Sequence, residues 1–380
     1  MGRKIGVMCA AMALCLIGLG TVEGYAAGEV SVSAECAVLM DGEGHVLFAR
    51  NAQARHGIAS TTKIMTALVA LENMSPEVMI TVPAEATGLE GTSIYLCAGE
   101  RLTLHELLYA VMLNSANDAA SAVAISVAGS VEAFADLMNQ KAAELGMTQT
   151  HFTNPHGLPD PDHYSTAEDM GRLTVYAMQN PAFREIVSTS KKQISRTAED
   201  GICYLVNHNK MLYRYQGAIG VKTGFTKKSG RCLVSAAERD GIMMIAVTLN
   251  APDDWRDHAA MLDYGFSLYE RETLLTAGEL RMQIPVAGGT SETAEVTNET
   301  PLTAVFPRDH GALTVRYELR SFYYAPLSQG EILGYAVLYE DGREAARCAL
   351  CALNPVEERS VPDTAWQRAR EWMRTKLHLK

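Results

Sequence analysis

Residues 59–66 read ASTTKIMT and lead into a run in which apolar residues recur every three or four positions. This spacing predicts a helix over residues 60–72 with one apolar face. Ser60 lies where the helix begins, and Lys63 lies one turn later on the same side. The Lys63 amine is therefore expected to reach the Ser60 hydroxyl, which is a weak nucleophile unless a base takes its proton. Partial positive charge at a helix start favours both a neutral amine and a developing oxyanion there.

A Ser-x-x-Lys tetrad has little weight alone, because average composition produces one roughly once in a chain of this size. Residues 188–191 read STSK and are a second copy of the pattern. This copy lacks a following apolar helix, so we interpret it as surface or strand.

A second motif, Ser115-Ala116-Asn117, falls in the short break between two predicted helices. Side chains in such a break are free to point into a cleft. Taken alone, however, the motif is better explained as Ser115 or Asn117 capping the helix that follows.

A third motif, Lys222-Thr223-Gly224, lies on a predicted strand. Lysine offers a cation for a carboxylate, threonine a hydroxyl donor, and glycine lets a bound backbone approach closely. The alternative is an exposed strand end followed by a turn, and a single tripeptide is weak support for a site.

The pattern along the chain predicts an α+β protein followed by an all-β segment. Thr103 and Glu106 form a capping box, Gly129 and Gly146 end helices, and Pro181 closes the helix opened at residue 166. Predicted helices lie at residues 60–72, 104–113, 117–128, 131–145, 166–180 and 254–270, and predicted strands at 35–40, 45–49, 218–223, 231–238 and 242–249. From 277 to 355, short strands alternate with turn residues. We therefore expect a larger domain at 30–272 and an all-β domain at 277–356.

Composition excludes several classes of function. The 380 residues are 48% hydrophobic and carry a net charge of −11, which argues against a nucleic-acid partner. No pair of CxxC motifs and no glycine-rich phosphate loop occurs, so we predict no metal and no nucleotide cofactor.

The N-terminus has the pattern of an export signal. Arg3 and Lys4 precede an uncharged, apolar run at residues 5–20, and residues 24–26 offer a small-residue cleavage site. We predict a signal peptide at residues 1–26, cleaved after Ala26, which leaves a mature charge of −12. An uncleaved membrane anchor is the alternative, because the apolar run is nearly long enough to span a bilayer.

Six cysteines remain after such cleavage, and an exported protein could oxidise them in pairings that the sequence does not choose. Cys348-x-x-Cys351 could be a redox pair. It lies in a β-like stretch with no helix start to lower a thiol pKa, so buried strand cysteines are the preferred interpretation.

The strength of the three motifs lies in their combination. They occur in the order and with the domain-scale spacing typical of penicillin-binding proteins and serine β-lactamases. Residues 30–275 closely resemble the D-alanyl-D-alanine carboxypeptidases among the low-molecular-mass penicillin-binding proteins. The segments that carry the likeness are 59–66, 114–119, 151–158 and 220–226, together with 325–327 for the family's C-terminal module. Ala116 departs from the glycine of many relatives, but it changes no donor or acceptor.

The resemblance implies a penicillin-binding/β-lactamase-like transpeptidase fold, in which a mainly antiparallel sheet has helices on both sides. A small C-terminal all-β domain and a terminal amphipathic helix would follow it. The implied activity is removal of the terminal D-alanine from peptidoglycan stem peptides. β-Lactams are implied inhibitors, because their ring amide mimics the cleaved bond and should acylate the nucleophile.

The resemblance also implies a role for each motif residue. Ser60 forms the acyl-enzyme, Lys63 accepts its proton, and Ser115 relays a proton to the leaving amine. Asn117 holds the peptide. The remaining implied roles are carboxylate binding by Lys222 and Thr223 beside Gly224, and an oxyanion hole made by the backbone N–H groups of Ser60 and Phe225.

The tail at residues 358–380 is predicted to be a membrane-anchor helix. Residues 359–380 hold six basic and two acidic side chains on an otherwise acidic chain. Trp366, Trp372 and Leu377 fall in one apolar arc with most basic residues opposite, which fits a helix lying in anionic headgroups. A final helix packed on the protein is the alternative. With the signal, this tail predicts an exported enzyme at the outer face of the cytoplasmic membrane.

Two rival functions remain open from the sequence. A serine β-lactamase shares the three motifs, but it would need a deacylation base, usually in a Glu-x-x-x-Asn segment. Residues 147–165 contain no such segment. A wall-binding homologue without catalysis is the non-enzyme alternative, although every catalytic residue type is present.

Overall fold

The computed structural model describes residues 30–196, 201–360 and 365–377. The predicted signal peptide at residues 1–26 lies outside the described residues. The strands are β1 (Cys36–Asp41), β2 (Val46–Arg50), β3 (Met79–Thr81), β4 (Arg101–Thr103), β5 (Lys191–Arg196), β6 (Gly201–Val206), β7 (Ala218–Thr226), β8 (Gly230–Arg239), β9 (Ile242–Leu249), β10 (Tyr269–Leu275), β11 (Met282–Ala287), β12 (Thr293–Asn298), β13 (Leu302–Pro307), β14 (Leu313–Leu319), β15 (Tyr323–Tyr324), β16 (Ile332–Glu340) and β17 (Arg343–Ala352). The helices are α1 (Lys63–Asn73), α2 (Leu104–Leu113), α3 (Asn117–Ala128), α4 (Val131–Glu144), α5 (Ala167–Ala177), α6 (Pro181–Ser188), α7 (Met211–Arg214), α8 (Asp254–Ser267) and α9 (Ala365–Leu377).

The larger domain is built on a five-stranded sheet in the order β2-β1-β9-β8-β7, in which every neighbouring pair is antiparallel. Alternate residues of a strand point to opposite faces. On β9, Ile245 and Val247 join the core that contains α1 to α6, whereas Met244 and Ala246 pack with α8. The predicted α+β fold with helices on both sides of an antiparallel sheet is confirmed.

Helix starts in this domain follow the local sequence. The Thr103 hydroxyl accepts the backbone N–H of Glu106, whose carboxylate accepts the Thr103 N–H, so the predicted capping box of α2 is present. Such a cap contributes about 1 kcal/mol. The prediction for Pro181 was wrong: the helix α5 already ends at Ala177, and Pro181 is the first residue of α6. Proline fits there because the first helical N–H needs no partner.

The helix predicted over residues 60–72 begins later than expected. Residues Ala59–Thr62 form a 3₁₀ turn, and α1 starts at Lys63. The hydroxyls of Thr61 and Thr62 donate to the carbonyl oxygens of Ile58 and Ala59, at 2.6 and 2.8 Å. These bonds hold the tighter turn, which we call the nucleophile turn, at the start of a buried helix.

The C-terminal part is all-β, as predicted. A six-stranded sheet in the order β14-β16-β17-β12-β11-β15 encloses its own apolar core, and β10 pairs separately with β13. Cys348 and Cys351 are buried in β17 as free thiols, and burial raises the pKa of both. This agrees with the interpretation as strand cysteines.

The tail contains α9 over Ala365–Leu377, where Trp372 is 63% exposed. No single helix among the described residues is both long enough and apolar enough to cross a membrane. Among the described helices, α3 and α4 meet that criterion as a pair, by length and composition alone, and they are bent by 83° relative to each other.

Candidate active site

Lys63 is the buried centre of the site. Its side chain is completely buried, and its Nζ lies 3.0 Å from Ser60 Oγ, 2.8 Å from Asn117 Oδ1 and 2.7 Å from the His156 carbonyl oxygen. The amide and carbonyl oxygens can only accept hydrogen bonds. A neutral amine therefore spends its two hydrogens on Asn117 and His156, and its lone pair is left facing the Ser60 hydroxyl.

The electrostatic surroundings favour this neutral amine. Burial holds the pKa of Lys63 well below its usual range, and the nearby positive charge of Lys222 lowers it further. The carboxylate of Asp118 opposes both effects but is the smallest contribution. Lys63 is thus placed to accept the Ser60 proton, as an activated nucleophile requires.

The second motif reaches the same cleft. Ser115 lies in the break between α2 and α3 with φ +61, a backbone region that non-glycine residues seldom occupy. Asn117 is the first residue of α3, and its Nδ2 donates to the Glu90 carbonyl oxygen at 2.7 Å. The residue at the cap position is Ala116, which has no side-chain bond to the helix, so the capping alternative was wrong.

The third motif lies on β7, one of the two edge strands of the main sheet. Lys222 is buried, and burial lowers its pKa to about 7. Its Nζ donates to the Thr223 carbonyl oxygen at 3.0 Å. Ser60 and Ser115 line one cavity of about 400 Å³ together with Thr223, Gly224 and Phe225. The structure therefore brings all three motifs to one cleft.

The structure requires glycine at position 224 for a different reason from the one expected. A Cβ at this position would lie 3.1 Å from the Ile58 carbonyl oxygen and from the backbone nitrogens of Ser60 and Thr61. The close approach is thus to the protein's own nucleophile turn rather than to a bound chain. This packing places β7 beside the Ser60 N–H, next to Phe225.

The second Ser-x-x-Lys tetrad forms no such site. Ser188 is exposed at the end of α6, and Lys191 is exposed at the start of β5. The surface-or-strand interpretation is therefore confirmed.

Sequence reasoning missed two groups that act on Lys63, one by a hydrogen bond and one by its charge. One is the backbone carbonyl of His156, which has no signature in the side-chain sequence. The other is Asp118, a buried carboxylate that accepts the N–H groups of Ile94 and Leu96 at 3.3 and 2.9 Å. Its position beside Asn117 was the available signal. Among the described residues, the metal-ligand side chains that converge are Glu270, Glu272 and His310, which lie on β10 and after β13 rather than in the cleft.

Gly157→Ala is expected to damage the site through the nucleophile turn. Gly157 has φ +84, and a Cβ there would lie 2.0 Å from the Ala59 carbonyl oxygen. We expect a loss of roughly 2–4 kcal/mol in the free energy of unfolding and at least a tenfold slower acylation by penicillin. Thermal melts and stopped-flow labelling measure both.

The matched control is Gly129→Ala, which has a similar φ of +88 but nothing within 4 Å of the added carbon. Its free energy of unfolding should fall by only about 1–2 kcal/mol, the cost of placing alanine in the left-handed backbone region. Equal losses from the two variants would contradict the proposed contact with the nucleophile turn.

Comparison with known proteins agrees with this geometry. The family model described as D-alanyl-D-alanine carboxypeptidase, Peptidase_S11, matches residues 23–253, and the model described as penicillin-binding protein 5, C-terminal domain, matches residues 269–358. The chain is 32% identical over 343 residues to the D-alanyl-D-alanine carboxypeptidase DacF of Bacillus subtilis, covering 87% of each chain. It is 30% identical to DacA of Escherichia coli over 349 residues, covering 87% of this chain and 85% of that one.

Solved structures show the same relationship. Penicillin-binding protein 5 of Haemophilus influenzae matches with a TM-score of 0.60 and 27% identity, covering 86% of this chain and 98% of that one. The K15 DD-transpeptidase of Streptomyces matches with a TM-score of 0.60 and 32% identity, covering 63% of this chain and 99% of that one. With the Ser60–Lys63 pair in its cleft, the chain belongs to the D-alanyl-D-alanine carboxypeptidase family of low-molecular-mass penicillin-binding proteins.

Proposed function

We propose that the protein is a serine-type D-Ala-D-Ala carboxypeptidase that removes the terminal D-alanine from peptidoglycan stem peptides. The observation that carries the proposal is the buried Lys63 amine, held by two acceptors with its lone pair directed at Ser60. The family membership supplies the substrate class, because relatives across most of the chain carry this activity in their names.

Acylation follows from the positions of these groups. Ser60 Oγ attacks the carbonyl carbon of the penultimate D-alanine while its proton passes to Lys63 Nζ. The N–H groups of Ser60 and Phe225 are assigned to the oxyanion. Ser115, which lines the same cavity, relays a proton to the leaving D-alanine nitrogen. Water then attacks the ester and releases the shortened peptide.

Substrate binding is assigned to the groups around the reacting bond. Lys222 and Thr223 bind the terminal carboxylate beside Gly224. Asn117 Nδ2 donates one hydrogen to the Glu90 carbonyl oxygen. We assign its other hydrogen to a bond with the substrate peptide. Its oxygen holds Lys63, so the same side chain positions the base.

Mass spectrometry with a peptide that ends in D-Ala-D-Ala tests the proposal. We expect the peptide to lose a single alanine, and labelled penicillin to attach covalently to the protein. A faster turnover of penicillin than of peptide would favour the β-lactamase alternative. Failure of both reactions would favour the inactive wall-binding homologue.

Peptide cleavage is expected to fall at alkaline pH through Lys222. The pKa of this lysine is about 7, so the free enzyme loses the positive charge as pH rises through that value. We expect kcat/KM to drop up to about tenfold per pH unit above pH 7, with a smaller effect on kcat, because kcat/KM reports the free enzyme. Initial rates between pH 6 and 9 measure this limb.

A peptide amidated at its C-terminus is the matched control, because it has no carboxylate for Lys222. Its kcat/KM at pH 6 should be lower than that of the free-acid peptide, and it should not fall as pH rises. The same limb with both peptides would contradict the assignment of Lys222 to the carboxylate.

We also propose that the protein is exported and held at the outer face of the cytoplasmic membrane by its tail. The apolar N-terminal run and the basic bias of residues 359–380 support this. Deletion of residues 358–380 should release active protein from membranes in a fractionation experiment. Penicillin labelling of both fractions tracks the active protein, and unchanged membrane retention of the shortened chain would defeat the tail's role.

A further inference from the structure

A second cavity borders the nucleophile turn. It has a volume of about 470 Å³ and is lined by Ala59, the neighbour of Ser60, and by Gly157–Asp160 of the loop that holds Lys63. Lys228 and Ser229, which connect β7 to β8, complete its wall. This cavity is not used by the reaction steps derived above.

Two cations face this cavity. The Arg55 Nε donates to Gln149 Oε1 at 2.9 Å, and its guanidinium lies 4.5 Å from the centre of the Tyr164 ring. These contacts orient the guanidinium, and no residue that the structure describes accepts a hydrogen bond from its Nη groups, which leaves them for a ligand. Within the ranges that the structure describes, neither Arg55 nor Lys228 forms an ion pair with a carboxylate.

The other charged groups at the cavity do not cancel this pair. Asp160 is the acidic lining residue, and its Oδ1 accepts the N–H of Asp162 at 2.8 Å. His56 lies 3.7 Å from Glu35. Two cations against one carboxylate, on a chain of net charge −11, make this cavity a local site for anions.

The strand β7 connects the two cavities. Thr223, Gly224 and Phe225 line the first, and Lys228 and Ser229, which follow the end of β7, line the second. β7 is an edge strand, so an extended peptide can pair along its outer side. A peptide that runs antiparallel to β7 with its C-terminal residue opposite Thr223 has its fourth residue from that end opposite Thr226. Lys228 is two residues further on, about 7 Å away, which a long side chain can span.

We propose that the second cavity is a subsite in which Arg55 and Lys228 bind the free carboxylate of the stem peptide's acidic second residue. The inference rests on the proposed function, because it needs the terminal carboxylate of the same peptide at Lys222 and Thr223. The second residue is the fourth from the C-terminus of a five-residue stem, so it would lie opposite Thr226, within the span of the Lys228 side chain. A bound carboxylate would accept hydrogen bonds from the Nη groups of Arg55 and from the Lys228 ammonium.

Two synthetic pentapeptides test the subsite. In both, the second residue is a glutamate joined to the third through its side-chain carboxyl, and they differ only in whether its α-carboxyl is free or amidated. Both carry lysine at the third position, so that no other side-chain carboxylate is present. We expect the wild type to prefer the free acid about fivefold in kcat/KM, the size of one exposed charge pair. The double variant Arg55→Ala/Lys228→Ala should cleave both peptides with similar kcat/KM.

Lys227→Ala is the matched control, because it removes a neighbouring exposed cation that does not line the cavity. It should keep the full preference, and titration of Ser60 with labelled penicillin fixes the concentration of folded enzyme in each preparation. Equal cleavage of both peptides by the wild type, or a preference that persists in the double variant, would overturn the subsite alone. Release of D-alanine from neither peptide would overturn the proposed function, and the subsite with it.

Discussion

Ser60→Ala is expected to abolish both D-alanine release and covalent labelling by penicillin. The hydroxyl is the only group of this side chain that can form the acyl bond, and Lys63 Nζ lies 3.0 Å from it. Loss of a serine nucleophile costs roughly 10⁴- to 10⁶-fold in kcat when the base and oxyanion donors remain. Mass spectrometry of the intact protein with penicillin, and of the peptide product, measures both losses.

Ser188→Ala is the matched control for this variant, because residues 188–191 repeat the Ser-x-x-Lys pattern on the surface. The Ser188 hydroxyl donates to the Glu185 carbonyl oxygen and has no part in the cleft. Its replacement should leave both reactions unchanged. If Ser60→Ala kept a penicillin adduct and Ser188→Ala lost it, the assignment of the nucleophile would be wrong.

Lys63→Arg is expected to reduce acylation by roughly 10²- to 10⁴-fold, the range of a lost general base. Arginine keeps hydrogen-bond donors for the Asn117 and His156 oxygens, but its guanidinium stays protonated and cannot accept the Ser60 proton. Lys63→Met removes the donors as well, so comparing the two variants separates the base from the structural contacts. Rates of penicillin labelling between pH 5 and 9 give the readout.

The pH dependence of acylation tests directly whether Lys63 is the base. In the wild type, acylation should fall as pH decreases through the lowered pKa of Lys63, because the protonated amine has no lone pair for the Ser60 hydroxyl. That acid limb should vanish in both variants. Lys191→Met, in the surface tetrad, is the control and should keep it. A Lys63→Arg enzyme with wild-type labelling rates would show that another group takes the proton.

Much of the fold follows from local sequence. The hairpin of β1 and β2, the capping box at Thr103 and the end of α3 at Gly129 were predicted correctly, because each depends on residues a few positions apart. The predictions for Pro181 and for the first turn of α1 were wrong. Proline fits both after and at the start of a helix, and the threonine bonds at Ile58 and Ala59 tighten a turn that apolar spacing cannot resolve.

The sequence likewise predicted some features of the site and not others. The residue types and their order along the chain were enough to select Ser60, Lys63, Ser115 and the motif at 222–224 as members of one cleft. The sequence alone did not indicate that the Asn117 and His156 oxygens direct the Lys63 lone pair, or that Gly224 packs against the nucleophile turn. Nor did it indicate the cation pair at the second cavity. These features join segments far apart in the chain, and bond direction, desolvation and cavity shape arise only when packing brings their atoms together.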